Sequence, residues 1–254
     1  MNTSLVFARK EALELVRTWR VWVLPGIIMF FALTGPPLAR FTPELLSAVA
    51  GGQLGQISIP PPTYLNAYGQ WIKNLSQIVL FALIIVYGGL ISSEVRSGTA
   101  AFVLAKPLSR TAFVVTKAVI HAVFIAVTLA AGTCATWLMT AVMFGAAPAA
   151  VLWEAALLWL TLGAFFIALM TALSVMVPAA AGAAGIGLGV YALLSAAAIW
   201  KPLATYSPAG IMGQAAALAA GSDVPLPLWP VVTSLALAVL LVWFAAVLFR
   251  RKEL

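Results

Sequence analysis

Long apolar runs alternate with short polar breaks along the whole of this chain. A helix that crosses a bilayer needs roughly 20 mostly apolar residues. Six stretches answer to that length: residues 21–38, 72–92, 113–144, 152–177, 179–200 and 230–249. The third is longer than a bilayer requires, which predicts a tilt or a first few turns projecting beyond the lipid. Only Pro178 and a run of small residues divide the fourth from the fifth, so a tight hairpin is expected there. Were those two a single element, the count would be five and the termini would face opposite sides. The pattern predicts an all-α, polytopic membrane protein with six transmembrane helices, one domain over residues 1–254.

Ahead of the first span the periodicity changes. Leu5, Ala8, Ala12, Leu15, Val16 and Trp19 share one helical face, and Lys10, Glu11, Glu14, Arg17 and Thr18 the opposite one. Residues 1–20 are therefore expected to form an N-terminal amphipathic interfacial helix, with Leu15, Val16 and Trp19 toward lipid. The plainer alternative is an extension of the first span beyond the membrane. Arg20, Trp22 and Pro25 mark the bend into the bilayer. Further on, Thr42-Pro43-Glu44 up to Gly51-Gly52 has the grammar of a cap, an N-terminal proline, a short helix and a glycine stop. Ser207-Pro208 through Ala220-Gly221 repeats it inside an outer loop over residues 201–229. Tyr64, Tyr68 and Trp71 are expected at headgroup level, where aromatic rings are enriched.

Composition fixes the solvent. Hydrophobic residues make up 63% of the chain and charged ones 8%, against roughly 25% charged in a soluble domain; the mean hydropathy is +1.07. The net charge of +7 has the sign for nucleic acid, but the cations cluster beside apolar spans, so no nucleic-acid partner is expected. With six spans and the N-terminus inside, Arg9, Lys10, Arg17, Arg20, Arg96, Lys106, Arg110, Lys117, Arg250, Arg251 and Lys252 are cytoplasmic. Arg40, Lys73 and Lys201 remain outside. Eleven cations against three predicts an N-in/C-in orientation in a cell membrane, as in the bacterial plasma (cell inner) membrane. No cleavable signal peptide is expected, so the first span stays as an anchor.

Candidate chemistry is sparse. One His, one Cys and seven acidic residues do not supply a His/Cys metal cluster. Asp223, the only Asp, lies in an outer loop away from His121, which argues against a Ser-His-Asp triad. No G-x-x-x-x-G-K-[ST] run is present. Neither a catalytic residue, a metal nor a cofactor is expected on this chain. His121, one turn after Lys117, is expected to face a headgroup or a partner. The span interiors read as nearly free of ionisable groups, with Glu154 at an outer helix end and Glu94 at an inner one. This weighs against a proton- or sodium-coupled secondary carrier. Gly185-x3-Gly189 in the fifth span permits close helix approach, expected within one subunit ahead of a dimer seam.

The most informative stretch is the inner loop over residues 93–110. It reads as a helix end at Glu94, a break at Gly98, and a short apolar helix from Thr99 through Phe102, Val103 and Leu104. A stop at Pro107 and a cap at Ser109 complete it. Framed by Arg96, Lys106 and Arg110, that helix is either an amphipathic loop resting on lipid or a docking knob for a cytoplasmic partner. Glu94-x3-Gly98-Thr99, the apolar stretch, Lys106-Pro107-Leu108-Ser109-Arg110 and then Lys117 resemble the signature loop of the permease subunits of type 2 ABC transporters. The Ala8-Arg9-Lys10-Glu11 opening is similar to that family's N-terminal elbow helix.

The resemblance covers essentially the whole chain, and implies an ATP-driven exporter of an apolar or amphipathic substrate. By it, Glu94, Gly98, Thr99, Phe102, Val103, Leu104, Lys106, Pro107 and Arg110 form a coupling helix seated on a separate cytoplasmic ATPase. Two copies of that ATPase hold the ATP and magnesium, and a second permease copy or a related permease completes the dimer. Ala100, Ala101 and Ala105 dilute the leucine-rich stretch usual in the family. A non-transporting membrane scaffold or assembly protein is the alternative.

Overall fold

The computed structural model describes residues 3–17, 20–49, 61–105, 107–223, 225 and 227–252. Every regular element among them is helical, as hydrocarbon demands, since a lipid-exposed backbone must satisfy its own hydrogen bonds. In chain order these are α1 (Thr3–Arg17), α2 (Arg20–Val49), α3 (Tyr64–Asn74), a π-helical turn (Leu75–Val79), α4 (Leu80–Tyr87), α5 (Ser92–Arg96), α6 (Thr99–Leu104) and α7 (Arg110–Phe144). They continue as α8 (Ala149–Met176), α9 (Ala180–Ala197), α10 (Lys201–Tyr206), α11 (Gly210–Ala219) and α12 (Leu228–Arg250). Six helices among the described residues are long and apolar enough to cross a membrane, the second running from Tyr64 to Arg96 through α3, α4 and α5. The hairpin at Val177-Pro178-Ala179 divides α8 from α9 where the proline predicts it.

α8 is the hub, packed against α12, α7, α11, α4 and α9. Its residues from Phe165 to Val175 are all buried, so a helix apolar all round its circumference finds neighbours all round. α9 and α12, by contrast, leave large apolar side chains such as Leu193, Val239 and Trp243 exposed, the faces expected to meet lipid. The ends of the bundle are tied by polar contacts. At one, the Arg110 guanidinium donates to the carbonyls of Arg250 (3.0 Å) and Lys252, and Lys252 Nζ donates to the carbonyl of Val175 (2.6 Å). The start of α7 and the ends of α8 and α12 therefore share one end, here termed the loop end. At the other, Arg40 donates to the carbonyl of Met143.

One expectation is corrected. The segment from Thr42 to Val49 is no separate outer helix: α2 runs unbroken to Val49 with Pro25, Pro36, Pro37 and Pro43 inside it. Each proline removes one backbone donor; the hydroxyls of Thr34 and Thr42 bond back to the carbonyls of Phe30 (2.7 Å) and Leu38 (2.6 Å) of their own helix. Tyr68 and Trp71 are fully buried within the bundle, Tyr68 donating to the carbonyl of Pro148 (3.0 Å) at the start of α8. Between α9 and α12 lie two short helices, α10 and α11; α11 falls within the stretch from Ser207 to Gly221 where a short helix is expected, and packs into the bundle against α8 and α3.

Candidate functional site

The second span breaks just before the loop. After α4 the backbone turns at Gly88 to Ile91, and the unpaired N–H groups of Ile91 and Ser92 both donate to Ser174 Oγ on α8, at 2.8 and 2.9 Å. A buried helix end without such an acceptor would leave two orphan donors. The break lies flush against the α8–α9 hairpin: a Cβ on Gly88 would stand 2.5 Å from the carbonyl oxygen of Ala180. Any larger residue there would push the hairpin off the span.

From this break the loop is built on Glu94. Its carbonyl accepts from Ser97 Oγ and Thr99 Oγ1, both at 3.2 Å, while Gly98 turns the chain with φ +75°, a conformation costly to any residue with a Cβ. α6 follows. Its Ala100 is buried, and Val103 and Leu104 pack on the core. Phe102 points away, 79% exposed. Pro107 is exposed and Leu108 buried. Ser109 Oγ accepts from the Ala112 amide at 3.1 Å, the expected cap of α7. Lys106 lies outside the described residues. Arg110, expected at the rim of the loop, instead caps the last carbonyls of α12.

Beneath this loop is a charged node. Lys117, the eighth residue of α7, is buried to 1%. Its ammonium lies 2.7 Å from Glu11 Oε2 and 2.5 Å from Glu94 Oε1, with the Phe113 ring 5.2 Å away. Glu11, itself buried, also meets Lys10 at 3.0 Å, and Lys10 pairs with Glu14. The charges thus alternate from Glu94 through Lys117, Glu11 and Lys10 to Glu14. Lys10 is half exposed; burial disfavours its charge, but the Glu14 and Glu11 carboxylates outweigh that and hold its pKa above the usual lysine value. Beside the node the rings of Phe7, Phe113 and Phe249 stack at 5.4 and 5.3 Å, joining α1, α7 and α12. One turn deeper, His121 Nδ1 lies 3.1 Å from the Tyr87 hydroxyl, and both residues are buried.

These findings correct the expectation that the spans hold almost no charge. Lys117 sits seven residues into its helix, roughly 10 Å from the start at 1.5 Å per residue. A cation at that depth persists because two carboxylates reach it. The argument against a secondary carrier from missing buried charge loses its premise; what remains is that this trio is mutually paired and near one end. α1 is also rotated from the expected orientation. Phe7, Glu11 and Leu15, spaced by four, face the bundle, while Val6, Leu13 and Val16 are exposed. Leu15 is thus a core contact, Val16 remains outward, and Trp19 lies outside the described residues. His121 faces Tyr87 rather than a headgroup.

Fold and node together define a helical, multi-pass membrane protein whose break-and-loop element is bolted to three other helices. Residues 54–254 match the family described as Protein of unknown function (DUF2705), and the chain belongs to that family. A search of curated proteins gives no match.

Proposed function

We propose that this chain is the membrane-spanning permease subunit of an ATP-driven ABC transporter, working with a separate cytoplasmic ATPase that carries the ATP and magnesium. The observation that carries the reading is Phe102, a large apolar ring 79% exposed on a helix whose Ala100, Val103 and Leu104 pack onto the bundle. An aromatic presented this way beyond the end of the spans suits insertion into a groove of a second protein. The bracing beneath it suits transmission of force. Glu94 at the root of the loop is held by Lys117 on the third span and, through Lys117, by Glu11 on α1. A push on α6 would move those elements together, as a rigid-body switch between inward- and outward-facing states needs. In this reading the loop end is cytoplasmic, in keeping with the distribution of cations. The cargo is apolar or amphipathic, in keeping with spans that carry little charge away from the node, and a second permease copy completes the pathway.

Docking is tested by co-purification with an ABC ATPase encoded beside this chain. Burying one large apolar side chain is worth about 1.5–3 kcal/mol, so Phe102→Asp is expected to weaken capture tenfold or more while membrane insertion is normal. Unchanged capture would favour the scaffold reading.

A further inference from the structure

The loop-end half of the bundle carries a second feature, built without any residue of the node. α7, α8 and α12 enclose an open groove of about 480 Å³. Its floor is made of Ala118, Ala122, Ala164, Ala168, Ala238 and Ala246, small side chains on all three helices that leave a channel where larger ones would have met. Val115, Val119, Val239 and Trp243 form exposed walls. Apart from Thr111 the lining is wholly apolar. Along α7 the groove runs from Thr111 to Ala122, roughly 16 Å at 1.5 Å per residue, which is about half of a ~30 Å hydrocarbon core. Its length is that of one leaflet.

Charge marks the leaflet and the ligand. At the loop end of the groove, Arg250 lies one turn beyond Ala246 and donates from Nε to Thr111 Oγ1 at 2.8 Å, so its guanidinium is fixed over the mouth. Arg251, also exposed, follows it. Basic side chains above an intramembrane cleft attract acidic headgroups, each at roughly 1 kcal/mol near the surface. We propose that this groove binds one anionic phospholipid of the loop-side leaflet, an acyl chain on the alanine floor and the phosphate at Arg250 and Arg251. The site shares no residue with the Glu11–Lys117–Glu94 node and does not depend on an ATPase partner.

Native mass spectrometry of the full-length chain, released from detergent after titration with phosphatidylglycerol or phosphatidylcholine, reads the site directly. The expected result is one phosphatidylglycerol retained at least tenfold more tightly than phosphatidylcholine. The preference should be lost in the Arg250→Ala/Arg251→Ala pair and kept in the Arg250→Lys/Arg251→Lys pair, which also shows that the end of α12 still folds. Ala238→Phe, which fills the channel, should lower retention without touching the charges. Equal retention of the two lipids by the wild type would overturn the site, as would a preference that survives loss of both arginines or filling of the groove. A dimer free of bound lipid would assign the groove to a second copy of this chain and overturn it as well.

Discussion

Replacing Lys117 with methionine removes the charge from the node and leaves a side chain of similar length. Oxygens of Glu11 and Glu94 lie within 4.8 Å of each other, and the ammonium now bridges both. Without it, two unit charges at that distance repel by about 3.5 kcal/mol at an effective dielectric of ~20. Loss of one partner from a buried ion pair costs about 3–5 kcal/mol by mutational precedent, so the two routes to the magnitude agree. The measurement is unfolding in mixed micelles at rising SDS fraction, followed by helix signal. Lys117→Met should be destabilised by about 3–5 kcal/mol. The triple variant Lys117→Met/Glu11→Gln/Glu94→Gln should recover most of that loss, because neutral amides in the same places no longer repel. A single variant as stable as the wild type, or a triple no better than the single, would refute the claim that the charges hold these helices together.

Other expectations follow from the same structure. With exposed Cys134 first removed, cysteines at Thr42 or Ser222 should react with an impermeant thiol reagent on intact cells; labelling at Ser97 without opening the membrane would reverse the orientation. Ser174→Ala strips the acceptor from the amides of Ile91 and Ser92, a loss of about 1–3 kcal/mol for buried groups left unpaired, and hydrogen exchange at those two amides should accelerate. Leu15→Ala should cost about 2–5 kcal/mol of stability as a core truncation, and exposed Val16→Ala within about 0.5 kcal/mol; equal effects would return α1 to the orientation expected from its apolar face.

Most of the fold was legible because lipid imposes so few solutions. The length of apolar runs located all six spans, Pro178 set the hairpin, and Ser109 set the start of α7. The proline-rich first span misled because Pro43 carries the same signal at a helix start as inside a helix that runs on through it. The loop was readable from Gly98 and Pro107, but the node was not. Glu11 looks like a residue of the polar face until Lys117, more than a hundred positions away, is known to lie opposite it. The available signals were the four-residue spacing of Phe7, Glu11 and Leu15, and that of Lys117 and His121 on a helix whose one other basic residue is Arg110 at its start. Ser174 had no signal at all, since one hydroxyl in a buried helix does not reveal which broken backbone it serves.

Coupling separates from docking in one assay: ATP hydrolysis by the proposed partner ATPase with and without this chain in proteoliposomes. Wild-type chain should stimulate turnover, and Phe102→Asp should abolish stimulation by losing the contact. Glu94→Gln should co-purify with the ATPase as the wild type does yet change the stimulated rate, because the loop remains presented while its tie to Lys117 is weakened. Equal stimulation by all three chains would contradict the account.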